Sequence, residues 1–126
     1  MARKEFIYRG KGIEELKQMS TKEFAQLLPS RQRRTLLRGL NEQSKKLLND
    51  LKAHQSVKTH CRDAVIIPEM VGKTVKIHKG NAFVQVIIAP EMLGHYLGEF
   101  ALTRKKVVHS APGIGATRAS AAMSVK

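Results

Sequence analysis

Thr74-Val75-Lys76-Ile77-His78-Lys79-Gly80-Asn81-Ala82-Phe83-Val84-Gln85-Val86-Ile87-Ile88 is the stretch whose reading decides the fold. Thr74 to His78 alternate, placing Val75 and Ile77 on one face and Lys76 and His78 on the other. Lys79-Gly80-Asn81 is turn chemistry and Ala82 to Ile88 is a second β-rich run, so the two form an antiparallel hairpin. This reading puts Phe83 in the core. Upstream, Ala64-Val65-Ile66-Ile67 reads as a short apolar strand. Downstream, Pro90-Glu91-Met92-Leu93 opens a helical turn with proline at the favoured first position. Pro68-Glu69-Met70-Val71-Gly72 nearly recurs as Pro90-Glu91-Met92-Leu93-Gly94. Two copies make no repeat architecture; they read as two similar strand-exit turns.

Before Ser56 the chain reads as helical. A short helical turn spans Ile13 to Met19, and Ser20-Thr21-Lys22-Glu23 fits a capping box for a helix that stops at Pro29. Ser30 then caps a long helix, about Arg31 to Ala53. On a helical wheel Leu36, Leu37, Leu40, Leu47, Leu48 and Leu51 gather on one face. Arg31, Arg34, Arg38, Lys45 and Lys52 fall into a separate basic stripe. Gly39 inside this helix is expected to mark a close packing contact.

Charge narrows the function. The 126 residues hold 23 Lys and Arg against 10 Asp and Glu, a net +13 with an isoelectric point near 10.3. The excess is global: 13 basic against 6 acidic residues through Ser56, and 10 against 4 beyond it. Such self-repulsion favours a polyanionic partner, and nucleic acid leads on charge alone. The apolar content of 42% excludes a wholly disordered chain, and the longest apolar runs are strand-sized, so no membrane span is expected. The start Met1-Ala2-Arg3-Lys4-Glu5-Phe6 lacks the apolar run of a secretory signal. One cysteine, Cys61, rules out an internal disulfide framework and suits a reducing cytosol. Six aromatic residues and no tryptophan argue against base stacking as the main binding mode. After Glu99 no acid occurs, and from Ser110 onward nothing has a period; such a tail orders only against a partner.

Motifs of chemistry are weak. Lys79-Gly80-Asn81-Ala82-Phe83-Val84-Gln85-Val86 fits five of the seven specified places of the RNA-recognition-motif signature. That fold needs a helix between its first two strands, and only six residues separate Ile67 from Thr74. His54, His60 and Cys61 fall short of the four ligands of a structural zinc site. Gly113-Ile114-Gly115-Ala116-Thr117-Arg118 lacks the ending of a phosphate loop and any preceding strand. No carboxylate pair stands out, so no catalytic residue, metal, cofactor or small-molecule substrate is expected. His95, bracketed by Gly94 and Gly98, sits where another backbone or a phosphate can approach closely.

Three runs carry a resemblance. Thr59-His60-Cys61-Arg62-Asp63, Ile67-Pro68-Glu69-Met70-Val71-Gly72 and Glu91-Met92-Leu93-Gly94-His95-Tyr96-Leu97-Gly98-Glu99-Phe100 are similar to small-subunit ribosomal protein S-nineteen. The opening Tyr8-Arg9-Gly10, Ser30-Arg31-Gln32-Arg33-Arg34 and the tail Pro112-Gly113-Ile114-Gly115-Ala116-Thr117 resemble its archaeal and eukaryotic branch. The resemblance covers nearly the whole chain, and the Gly94 to Phe100 run is highly specific. A short Lys52 to Lys58 segment favours an archaeal source. Bacterial members lack the long helical start, so nothing from them transfers before about Val57.

The family implies a small α/β (α+β) fold with a three-stranded sheet, in the head of the small ribosomal subunit. It implies binding to the 3′-major domain of small-subunit ribosomal RNA, with protein S-thirteen as neighbour. In this branch the tail is associated with the decoding region near A-site transfer RNA. The expected organisation is a helical extension over 1–56, an RNA-binding core over 57–109 and an extended basic tail over 110–126.

Arg62, Lys73, Lys76, His78, Lys79, His95, Thr103 and Arg104 are expected to meet RNA phosphates and sugars, where donors matter more than base readers. Arg31, Arg34, Arg38 and Lys45 add the helical stripe, and Lys105, Lys106 and Arg118 the tail. The expected setting is cytoplasmic and ribosome-bound. The alternative is a DNA-binding protein that lays the Arg31 to Lys52 helix in a major groove.

Overall fold

A computed structural model describes residues 4–108; the expected tail over 110–126, with Arg118, lies outside the described residues. The chain opens with a two-stranded hairpin, β1 (Ile7–Tyr8) and β2 (Lys11–Gly12), paired antiparallel. Its connecting turn holds Arg9 at φ 51° and Gly10 at φ 79°, the paired left-handed geometry of a two-residue hairpin loop. Four helices follow: α1 (Ile13–Gln18), α2 (Thr21–Leu27), α3 (Ser30–Leu37) and α4 (Glu42–Ala53).

The capping box forms as the residues dictate. The Ser20 hydroxyl accepts from the Glu23 amide at 3.3 Å, and the Glu23 carboxylate accepts from the Ser20 amide at 3.0 Å. Those amide and hydroxyl donors hold the Glu23 carboxyl below its ordinary range. α2 then ends at Leu27, with Leu28 as its C-cap ahead of Pro29. Pro29, not Ser30, takes the N-cap of α3, and no side chain caps that helix.

The long helix expected from Arg31 to Ala53 is two helices. Arg38 closes α3 by donating its amide to the Arg34 carbonyl at 3.0 Å, and Gly39 follows at φ 97°. That left-handed backbone is the ordinary stop signal of a helix and disfavours any residue with a Cβ. Asn41 restarts the chain as N-cap of α4, its side chain accepting from the Ser44 amide at 2.8 Å. Gly39 has open space around it, so the expected packing contact is absent; the glycine serves the turn.

The main sheet has three strands in the order β3-β4-β5: β3 (Ser56–Thr59), β4 (Thr74–His78) and β5 (Phe83–Ile87). The hairpin β4-β5 is antiparallel as expected, with Val75 opposite Val86 and His78 opposite Phe83. The third strand differs from expectation. Ala64 to Ile67 joins no sheet; it runs beside residues 94–98 through a bridge of Val65 with Tyr96. All four of its side chains are buried, which a strand with one solvent face does not allow. β3 instead pairs parallel to β4, Val57 opposite Val75 and Thr59 opposite Ile77. Both Pro-Glu-Met turns form single 3-10 turns with proline at the start, Pro68–Met70 and Pro90–Met92.

One buried cluster joins the parts. Leu16, Phe24, Leu36, Leu47 and Leu51 from the helices pack with Ile66, Met70, Val75, Ile77, Ile88 and Leu97. The leucines of the wheel divide: Leu36, Leu47 and Leu51 are buried, Leu40 and Leu48 are half-buried, and Leu37 is 48% exposed. The sheet thus rests its inner face on the core and leaves the other open.

Candidate nucleic-acid interface

Strand alternation and register build the open face. Cross-strand rows place Ser56, Thr74 and Ile87 together, then Lys58, Lys76 and Gln85, then His78 and Phe83. The outer residues of these strands include no carboxylate. Phe83, expected in the core, is 38% exposed on this face, and Ile87 is 64% exposed. The physical reason is parity: Val84 and Val86 take the inward positions of β5, so Phe83, Gln85 and Ile87 point out.

His60, one residue past β3, completes a cluster with that row. Its ring lies 4.3 Å from His78 and 5.3 Å edge-on from Phe83, and His78 lies 5.0 Å from Phe83. The Lys58 ammonium sits 5.4 Å from the Phe83 ring centre, a cation–π contact. The Gly80 amide donates to His78 Nδ1 at 3.2 Å, which leaves the proton of the neutral ring on Nε2. Lys58, His60 and Phe83 were absent from the expected site. The alternation Ser56-Val57-Lys58-Thr59-His60 was the signal that points to the first two.

The expected residues divide by what their side chains already do. Lys76, His78 and Lys79 lie on or beside the open face, at its strand and turn. Arg62 points inward instead. Its Nη1 donates to the His78 carbonyl at 2.8 Å, and its Nη2 donates to the Gly98 and Ala101 carbonyls at 2.7 and 2.6 Å. Lys73 donates to the Leu51 carbonyl near the end of α4. His95 lies 2.6 Å from the Glu99 carboxylate, with its ring against Phe100.

The glycines around His95 admit this chain's own atoms. A Cβ on Gly94, at φ 80°, would stand 2.7 Å from Leu28 Cδ2, and one on Gly98 3.0 Å from the Arg62 carbonyl oxygen. Thr103, Arg104, Lys105 and Lys106 form an exposed run after the last turn.

The helical stripe does not survive as one line, because α3 and α4 are separate. Arg31 and Arg34 lie on α3, Arg38 caps it and Lys45 lies on α4; all four are exposed. Lys52 pairs with Glu69 at 3.7 Å. The single helix that a major groove would receive is therefore missing.

No group of three or more His, Cys, Asp or Glu side chains among the described residues is placed to hold a metal ion. Cys61 is buried, and burial raises its thiol pKa, a shift that a hydrogen bond from Ser44 opposes and Asp63 reinforces. Such a thiol stays protonated and is a poor nucleophile. No helix among the described residues is long and apolar enough to cross a membrane. What this arrangement does chemically is present cations, rings and amide donors on a rigid scaffold, which is the equipment of a structural polyanion-binding module.

Comparison with known proteins gives that class a family. The model of the family "Ribosomal protein S19" matches residues 29–109. The "Small ribosomal subunit protein uS19" of Thermoplasma acidophilum is 52% identical over 124 residues, which is 98% of this chain and 82% of that protein. The chain belongs to the ribosomal protein S19 family, a family of structural components and not of enzymes. The relative's match extends over the helices that precede residue 29.

Proposed function

We propose that this chain is a structural constituent of the small ribosomal subunit that binds small-subunit ribosomal RNA. The observation that carries the reading is the match, along nearly its whole length, to a small-subunit protein. The geometry supports it. The open sheet face offers Lys58, Lys76, His78 and Lys79 without a carboxylate among its strand residues, and Arg31, Arg34, Arg38 and Lys45 offer a second basic surface. Double-stranded RNA is held mainly by such backbone contacts.

On this reading the chain sits in the subunit head on the 3′-major domain, beside protein S-thirteen. Residues 1–56 serve as a helical extension, 57–109 as the RNA-binding core, and 110–126 as a tail directed toward A-site transfer RNA. The test is cosedimentation of the native chain with small subunits from its own source through high-salt washes. Retention at salt that strips loosely bound basic proteins is the expected result. Release at low salt, or recovery with DNA instead, would refute the assignment.

A further inference from the structure

We propose that the His60–His78–Phe83 cluster is a stacking platform for an unpaired nucleotide of the bound RNA. The proposal rests on the RNA-binding reading and names how one part of that surface recognises its partner. Three rings within 4.3 to 5.3 Å of one another stand on the outer face of the sheet, and the largest, Phe83, keeps 38% of its surface exposed. An aromatic side chain left facing solvent on a strand, with two further rings beside it, is a contact surface in waiting.

The groups beside the rings decide the occupant. Lys58 lies 5.4 Å from the Phe83 ring, Lys76 stands across from Lys58 in the register, and Gln85 completes that row with an amide. The edge of the platform opens into a cleft of about 240 Å³ bounded by Lys46, Lys58 and His60, with Asp50 also on its wall. A nucleotide whose base lies on the rings therefore has cations within reach of its phosphates. Every base has a π-face, so stacking needs no particular sequence, and an unpaired base supplies it where a duplex cannot. The exposed Ile87 alone would suit a protein neighbour, but cations without a carboxylate on this face favour RNA.

The chain has no tryptophan, so Phe83→Trp places a single indole reporter on the platform. The probe is a transcript of the 3′ domain of small-subunit ribosomal RNA, added to the full-length chain. The indole emission should be quenched as the transcript binds. Phe83→Leu should weaken affinity about tenfold, within the range of one base–aromatic stack, and leave the salt dependence unchanged, because no phosphate contact is lost. Phe83→Tyr should restore the affinity.

Lys58→Ala with Lys76→Ala should instead reduce the slope of log affinity against log salt by about two. Phe83→Leu that binds as the parent does, or a bound indole without quenching, would overturn the platform while leaving RNA binding intact. Phe83→Leu that binds the transcript normally but fails to enter subunits would mark a protein-contact face and would equally overturn it. Failure of the parent chain to bind the transcript would remove the RNA reading itself, and this proposal with it.

Discussion

Arg62→Ala separates a structural clamp from an RNA ligand more sharply than any other single change. The guanidinium ties the end of β4 to the turn at residues 97–101 through three carbonyls at 2.6 to 2.8 Å. Hydrogen bonds from a charged donor contribute about 1.5–3 kcal/mol each, but two of these share one nitrogen, and water can reach part of the vacated site. A loss of about 3 kcal/mol follows, a large share of a total stability of about 5–15 kcal/mol. In a domain of this size that lowers the melting temperature by about 10–20 °C.

Urea unfolding followed by circular dichroism at 222 nm measures the loss directly. Arg62→Lys should recover only part of it, because one ammonium cannot reach carbonyls on both segments in the fork geometry. If Arg62→Ala unfolds within about 0.5 kcal/mol of the parent while its RNA affinity collapses, the clamp reasoning is wrong.

Three further outcomes follow from local geometry. Gly94→Ala should destabilise by about 2–3 kcal/mol, since it combines a left-handed backbone with a Cβ placed 2.7 Å from Leu28 Cδ2; thermal unfolding checks it. Leu36→Ala should lose about 2–4 kcal/mol and Leu37→Ala less than about 0.5, because the first is 7% and the second 48% exposed; equal losses in urea would contradict the assigned face of α3. The Glu23 carboxyl, lowered from its ordinary 4.5 by the amide and hydroxyl of Ser20, stabilises fully above that value, and the contribution is lost as pH falls through the lower folded value. Glu23→Gln should remove that part of the acid dependence in a pH series of melts.

The hairpin, the capping box and both Pro-Glu-Met turns were legible because each rests on contacts a few residues apart. β3 was missed because it is four residues long and parallel, so its partner β4 lies beyond a connection that holds no α-helix, only the short 3-10 turn at Pro68–Met70. Ala64 to Ile67 was mistaken for a sheet strand because a continuous apolar run does not say which polar backbone it will meet; here the partner is the turn around His95. The break at Gly39 was written in Leu37-Arg38-Gly39-Leu40-Asn41, a stop followed by a start. Uninterrupted leucine periodicity outweighed it.

The candidate site was half legible on the same grounds. Lys76 and His78 follow from alternation within β4, whereas the inward turn of Arg62 depends on carbonyls 16, 36 and 39 residues away. Phe83 was misplaced because a β-rich run of apolar residues does not reveal its inner face until one partner's register is known.

The most direct measurement is cleavage of ribosomal RNA by hydroxyl radicals from iron chelates tethered to chosen positions. Cys61 is buried, so single cysteines introduced at Gln85 on the open sheet face and at Glu14 can be labelled selectively in the folded chain. Glu14 lies beside Glu5 and Glu15 on an acidic hollow and serves as the comparison. In small subunits reconstituted with these chains, strong and localised cuts in the 3′-major domain should arise from Gln85→Cys and far weaker ones from Glu14→Cys. Subunits that hold the protein yet show no cleavage from Gln85→Cys would contradict the sheet face as the RNA-binding surface.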